Sequence, residues 1–281
     1  MRTKTFLLLF ILILIIEQKT IGKPSKTIDV PYINQKYDVP EWFDGRYSCG
    51  SASVAMVLAY YGVLPKWPMN ISKPFIHTNN FGRYICCIFK VKDKVFNEKS
   101  LDASRYAFGY GIHGYVYIPG KGASWNRMVE LFRILGFESY VETNVSWDIL
   151  THELDSGRPV ILSTQLTSSG HIVVAVGYYN NHSVIVNDPA GNRNLGSYFN
   201  YYGKTAIYDW PGYNNGHVNL NKVKAFIIVK PRNLNIAIPV ECRVETIKQA
   251  TLHYLIVSIV AISLLAIILG LLLRYKNLRD R

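Results

Sequence analysis

A single thiol opens an apolar run. Cys49, in GRYSCGSASVAMVLAYYG (Gly45–Gly62), is followed by Gly50 and a string of small residues. The run predicts a helix over Gly50–Tyr61 with Gly62 as its stop. A helix N-terminus carries a positive partial charge and unsatisfied N–H groups. Both stabilise a thiolate and make the cysteine nucleophilic near neutral pH. Taken alone, a cysteine is more often a small buried hydrophobe, so the reading turns on its company. A thiol nucleophile needs a base. Among seven histidines, His171 stands where the polar TSSG gives way to the apolar strand HIVVAVGYY. An imidazole in turn needs an acceptor to orient it, and HSVIVNDP offers Asp188, with Asn187 as a weaker alternative.

Register decides whether these two meet. A two-residue turn at Asn180-Asn181 sets Asp188 opposite Val173, the same-face neighbour of His171. A loop two residues earlier sets it opposite His171 itself. An odd-length loop puts the two on opposite faces. The developing oxyanion needs donors: the Cys49 backbone N–H is one, and the Gln35 amide in VPYINQ is the other candidate. The competing readings are a structural histidine, an Asp-Pro turn and an exposed strand-end glutamine. His77, His113, His152, His182, His217 and His253 take no role.

VPYINQ, CGSASVAMVLAYYG, SGHIVVAVGYY and VNDP occur in this order across residues 28–190. Together they resemble the bacteriocin-processing, double-glycine-leader cysteine peptidases and their wider papain-like relatives. The resemblance implies a papain-like fold, with Cys49 as nucleophile, His171 as base, Asp188 as its orienter and Gln35 in the oxyanion hole. It implies peptide-bond cleavage through an acyl-enzyme, with no metal or organic cofactor. This chain departs from the pattern in four ways. Ser51 stands where relatives often carry proline, and the interval from Gln35 to Cys49 is longer than in transporter-attached members. Residues 63–120 are long for the family. No Gly-rich phosphate loop marks an ATP-binding cassette, so a peptide exporter and a double-glycine leader substrate are not implied.

The elements that must position these groups follow from pattern. On the predicted helix, Ala52, Ala55, Met56 and Ala59 form one small face, and Val54, Val57, Leu58 and Tyr61 a second apolar one; a helix apolar on both sides is central and buried. SWNRMVELFRILGF (Ser124–Phe137) and SWDILTHELDSG (Ser146–Gly157) read as Ser-capped, Gly-terminated amphipathic helices. Strands follow: RPVILST, the two around Asn180-Asn181, KTAIYDW and KVKAFIIVK. Helices first and an antiparallel sheet after give an α+β domain, a central N-terminal helix packed on the sheet. Residues 63–120 read as an irregular insertion or lid, with YICCIFKVKDKVF as a possible strand pair and RYAFGYGIHGYVYIPGKG as loop. The tyrosine-rich Gly196–Gly216 reads as packing or as the lining of a groove.

The ends belong to a membrane. Residues 1–22 read as a signal peptide, with Arg2 and Lys4 before the apolar FLLLFILILII. LIVSIVAISLLAIILGLLL (Leu255–Leu273) carries no charge and, at ~1.5 Å per residue, spans about 28 Å, close to the hydrocarbon thickness. The basic RYKNLRDR after it is expected on the cytoplasmic side. The expected organisation is signal 1–22, peptidase domain 23–230 with the insertion at 63–120, stalk 231–250, membrane helix 251–273 and cytoplasmic tail 274–281. The domain is then extracytoplasmic, in a compartment that permits disulfides. With Cys49 free, three cysteines remain, and Cys242 is open to pairing with Cys86 or Cys87 or to bridging to another chain. The sequons at Asn70, Asn144 and Asn181 fit the same side. Of the net charge of +12, the signal and the tail carry +5, and the remaining +7 comes from scattered residues; no basic stripe or module speaks for nucleic acid. The expected partners are a peptide or protein substrate and the membrane; oligomeric state is not legible. Two other functions share the scaffold: a catalytically silent peptide-binding protein, and an amidase or acyltransferase.

Overall fold

The computed structural model describes residues 23–102, 107–242, 258–264 and 267–268. The signal segment 1–22, the tail 274–281 and most of the apolar stretch 251–273 lie outside the described residues. Among the described residues no helix is long and apolar enough to cross a membrane.

The first helix runs over Cys49–Tyr60, and every residue from Gly50 to Ala59 is buried. It packs against the strand His171–Tyr179 and against a short helix over Gly111–Val116. Its small residues make this possible. Val54, Met56, Val57 and Leu58 are fully buried, each stabilising by roughly 1.5–3 kcal/mol relative to an exposed position. Gly62, at φ +71°, takes the left-handed conformation that ends the helix.

The sheet is antiparallel and seven-stranded. Its order is Phe137–Glu142, Val223–Pro231, Val160–Thr164, His171–Tyr179, Ser183–Asn187 and Ala206–Asp209, and Lys26–Thr27 pairs with the far end of His171–Tyr179. Val160–Thr164 and His171–Gly177 are buried throughout, so they read as apolar runs rather than alternating ones. The helices Trp125–Ile134 and Trp147–Asp155 start at Ser124 and Ser146, whose hydroxyls accept from Arg127 N–H and Ile149 N–H.

The turn at Asn180 is not the two-residue hairpin. Tyr179 pairs with Ser183, which leaves three residues in the connection, with His182 at φ +66°. An odd connection alone would place Asp188 on the wrong face. A β-bulge between Ala175 and Gly177 adds one residue to the strand and restores the parity, so that Val174 pairs with Asn187. Extending that register by one sets Asp188 opposite Val173, on the face of His171.

The described residues of 63–120 hold more regular structure than the sequence suggests, and the strand pair expected in YICCIFKVKDKVF is present. They hold strand pairs at Met69–Ile71 with His77–Asn79 and at Ile88–Val91 with Lys94–Phe96, and helices at Arg83–Cys86 and Gly111–Val116. The expected loop RYAFGYGIHGYVYIPGKG thus contains a helix. Tyr84, Ile85, Phe89, Ile112 and Val116 join the main core, so the segment is a wall of the domain rather than a lid. The elements here are short, three to six residues, too short for a periodic pattern to mark them, and the shape comes from tertiary packing.

The stretch expected to begin a stalk folds back instead. Ile238–Glu241 pairs with Ile88–Val91, and Cys242 is bonded to Cys87. Cys49 and Cys86 are free thiols.

Gly50 sits where the first helix meets its neighbours: a Cβ there would stand 2.5 Å from Ala123 Cβ and 2.5 Å from Met128 Cε. The methionine end can move, but the alanine cannot without its backbone. Gly50→Ala is expected to destabilise the fold by about 1–3 kcal/mol, read as a lowered midpoint in urea unfolding.

Candidate active site

Cys49 is the first residue of the central helix, partly exposed, and lines a cleft of about 680 Å³. One wall of the cleft comes from Gln35, Arg46, Tyr47, Tyr117 and the turn Gly120–Ala123. The other comes from the sheet side, with Ser163, Thr164, Gly170, His171, Tyr198 and Lys224.

The structure brings Cys49, His171 and Asp188 together. His171 Nε2 lies 2.7 Å from Asp188 Oδ1, which leaves Nδ1 for the thiol; Cys49 and His171 line the same cleft, and His171 is the group that acts most strongly to lower the Cys49 thiol. His171 is 7% exposed and Asp188 fully buried. A buried carboxylate must be satisfied, and this one is. Its Oδ1 also accepts from the Ala190 N–H at 2.9 Å, and its Oδ2 accepts from the Tyr208 hydroxyl at 2.8 Å. Its backbone is pinned too: its N–H donates to Gly203 O, and its carbonyl accepts from Tyr32 Oη. The Tyr198 ring lies 5.2 Å from the imidazole and covers it on the cleft side.

These contacts set the protonation states. Burial pushes the Cys49 thiol up, but the hydrogen bond and charge of His171, with the Ile172 and Gly50 N–H groups, outweigh it and bring the thiol below its ordinary value. Burial pushes the His171 imidazole down, but the Asp188 charge and hydrogen bond, with Cys49, raise it to about 10. Both directions favour the thiolate–imidazolium form of the pair over the neutral one. Such a pair at a helix N-terminus is equipped for nucleophilic acyl transfer.

Gln35 reaches the cleft in an unexpected state. Its Nε2 donates to Gly45 O and to Arg46 O, both at 2.8 Å, and its Oε1 is buried without a partner. Both amide hydrogens are thereby used in holding the turn that precedes Cys49. Asn187, the alternative orienter, donates to Val30 O and accepts from Thr205 N–H; it is a structural tie.

Two histidines without an expected role support the site from behind. His113 is fully buried and burial lowers its pKa to about 3, so it is neutral. Its Nδ1 lies 3.1 Å from Ser48 Oγ, fixing the residue before the nucleophile. His77 Nε2 lies 2.7 Å from the buried Asp38, and its Nδ1 2.9 Å from Phe75 O. Tyr201 Oη donates to the same carboxylate at 3.0 Å, and Asp38 Oδ2 accepts from Asn34 N–H. This cluster ties the Gln35 turn to the hairpin Met69–Asn79 and to the loop that carries Tyr198. No short motif marks these residues, because their partners come from three distant segments.

The coupling is open to direct measurement. Iodoacetamide labelling of Cys49 across pH is expected to inflect below the free-thiol value of about 8.5. In His171→Ala the inflection moves upward, because the group that holds the thiolate is gone and burial remains. An inflection indifferent to His171 would separate the two residues.

A family model described as the Peptidase_C39 like family matches residues 27–216. Solved structures similar to this chain include a double glycine motif protease from an AMS/PCAT transporter in complex with the leader peptide, at 16% identity over 74% of this chain and 96% of that one, with a TM-score of 0.36. They also include the peptidase domain of Streptococcus ComA, a bi-functional ABC transporter involved in a quorum sensing pathway, at 18% identity over 71% and 100%, with a TM-score of 0.38. A prointerpain A fragment from Prevotella intermedia shares 17% identity over 73% and 72%, with a TM-score of 0.35. No curated protein sequence matches significantly. The family model spans more than half of the sequence, including Gln35, Cys49, His171 and Asp188, and the chain therefore belongs to the Peptidase_C39 like family.

Proposed function

We propose that this protein is a cysteine peptidase in which Cys49 is the nucleophile, His171 the acid–base and Asp188 the residue that orients His171. The observation that carries the reading is the chain of contacts from a thiol at a helix N-terminus through His171 to a fully buried, fully satisfied Asp188. The Cys49 thiolate adds to a peptide carbonyl carbon and the carbonyl π electrons move onto oxygen. The Cys49 backbone N–H, one of the free donors of the first helical turn, faces that charge. Collapse of the intermediate breaks the C–N bond, and His171 Nδ1 gives its proton to the departing amine. The neutral imidazole then takes a proton from water, which attacks the thioester and releases the acid and the thiolate. Asp188 stays ionised and holds the ring through both steps. Gln35 enters the oxyanion site only by giving up its bond to Gly45 O or to Arg46 O. That makes it a support of the turn in the resting state and a donor only after rearrangement.

The domain is proposed to lie outside the cytoplasm on a single membrane anchor. The uncharged run Leu255–Leu273 supports this, as do the outward-facing apolar side chains of the helical residues 258–264, among them Ile259, Val260, Ile262 and Leu264. The Cys87–Cys242 bond fits an oxidising compartment. A silent peptide-binding protein is disfavoured by the intact thiol and imidazole.

Two outcomes test the peptidase reading. Cys49→Ala and His171→Ala each lower the rate of peptide cleavage by at least about 10³-fold, with circular dichroism and unfolding midpoint retained. The pH profile of kcat/KM is bell-shaped. It rises as Cys49 loses its proton below the ordinary thiol value, and falls as His171 loses its own near pH 10. A rate that depended on pH only through a group titrating near 6.5 would sink the ion-pair mechanism.

A further inference from the structure

Besides the Cys49–His171 pair, the charged residues of the cleft are Arg46, Lys121 and Lys224, and none of the residues that line it is Asp or Glu. Arg46 is compensated by Asp44, with Nε to Oδ2 at 3.1 Å. None of the described ion pairs involves Lys121 or Lys224.

The backbone aims both lysines. Lys224 sits at a β-bulge: Ser163 pairs with Ala225 and Thr164 with Val223, which skips Lys224. A bulge re-aims the side chain of its extra residue. Val223 and Ala225 are buried, while Lys224 is exposed on the cleft. Its Nζ lies 3.9 Å from where a Cβ on Gly170 would stand, beside the residue that precedes His171. Lys121 is carried on the opposite wall at the tip of a hairpin, between Gly120 and Gly122 at φ +76° and +82°. Nothing lies within 4 Å of a Cβ built at either glycine, so the tip stands clear at the cleft mouth. Ammonium groups on both walls of one groove raise the local concentration of anionic side chains and favour their binding.

We propose that the cleft selects acidic peptides, and that Lys224 reads a carboxylate on the amine-leaving side of the scissile bond. The side follows from the mechanism. His171 must protonate the departing amine, so the segment that leaves lies along the wall of His171, Gly170 and Lys224. Lys121, on the Cys49 wall, reads a second carboxylate across the groove. This inference rests on the peptidase reading above and adds the class of substrate to it.

The test uses the full chain in detergent and a mixture of synthetic decapeptides with every position varied, cleavage being read by mass spectrometry. Sites with Asp or Glu within three residues on the amine-leaving side are expected to be cut at least about fivefold faster than those with Lys or Arg there. Lys224→Glu is expected to reverse that preference, and Lys121→Glu to weaken the overall preference for acidic peptides without reversing it. In 1 M NaCl, where the Debye length is about 3 Å, the wild-type preference shrinks. Each ratio is internal to one variant, so a change in overall rate does not mimic it. Cleavage without acidic preference, or a preference that survives Lys224→Glu, overturns the proposal and leaves the peptidase reading standing. No cleavage of any peptide, with the pH-labelling of Cys49 normal, removes both.

Discussion

A buried negative charge governs this architecture. The Asp188 side chain is fully buried, and a carboxylate is tolerated there only because both of its oxygens accept hydrogen bonds. An imidazole and the Ala190 N–H meet one oxygen and a tyrosine hydroxyl meets the other. Removing one donor leaves the carboxylate less compensated. The elements that supply them are spread over the chain. Tyr208 comes from a sheet strand and His171 from the strand against which the central helix packs, while Tyr32 of the N-terminal arm and Gly203 of the aromatic loop hold the Asp188 backbone, whose carbonyl accepts from Tyr32 Oη and whose N–H donates to Gly203 O. The sheet order and the course of the loops are thus constrained by one electrostatic condition. The reactive thiol inherits its state from it, since the raised basicity of His171 derives first from Asp188.

The second condition is steric. A thiol can meet the imidazole only if the helix that starts with it lies close to the strand that starts with His171. Gly50 and the alanines of the helix permit that approach, and Ser53 Oγ bonds Ile172 O at 3.4 Å across it. Small residues at an interface are often read as weak packing. Here they set the distance on which proton transfer depends.

How much of this was legible in sequence varies with the range of the interactions. Local signals carried well: the Gly62 stop, the Ser124 and Ser146 caps and the apolar runs of the buried strands are each decided within a few residues. The meeting of Cys49, His171 and Asp188 was legible because a strand alternates with period two. Yet the expected turn was one residue short, and a bulge at the other end of the strand compensated, which no local pattern signals. The wall at 63–120 and the return of Ile238–Glu241 were not legible, because their partners lie far away in sequence. The unexpected state of Gln35 has the same origin. Its amide is taken by carbonyls ten and eleven residues on, where a sequence shows only the side chain and not its competitors.

The bond between Cys87 and Cys242 also sets how the domain bears load. It closes the strand pair of Ile88–Val91 and Ile238–Glu241 at the end where the chain departs, Glu241 lying opposite Ile88. Tension applied beyond residue 242 would otherwise unzip that pair one hydrogen bond at a time, starting at Glu241. With the covalent bond at that end, the force enters the domain at Cys87 and passes into the core packing of Tyr84, Ile85 and Phe89. The strands of the main sheet are not on this route, which passes instead through the short helix Arg83–Cys86 to the helix that begins at Cys49.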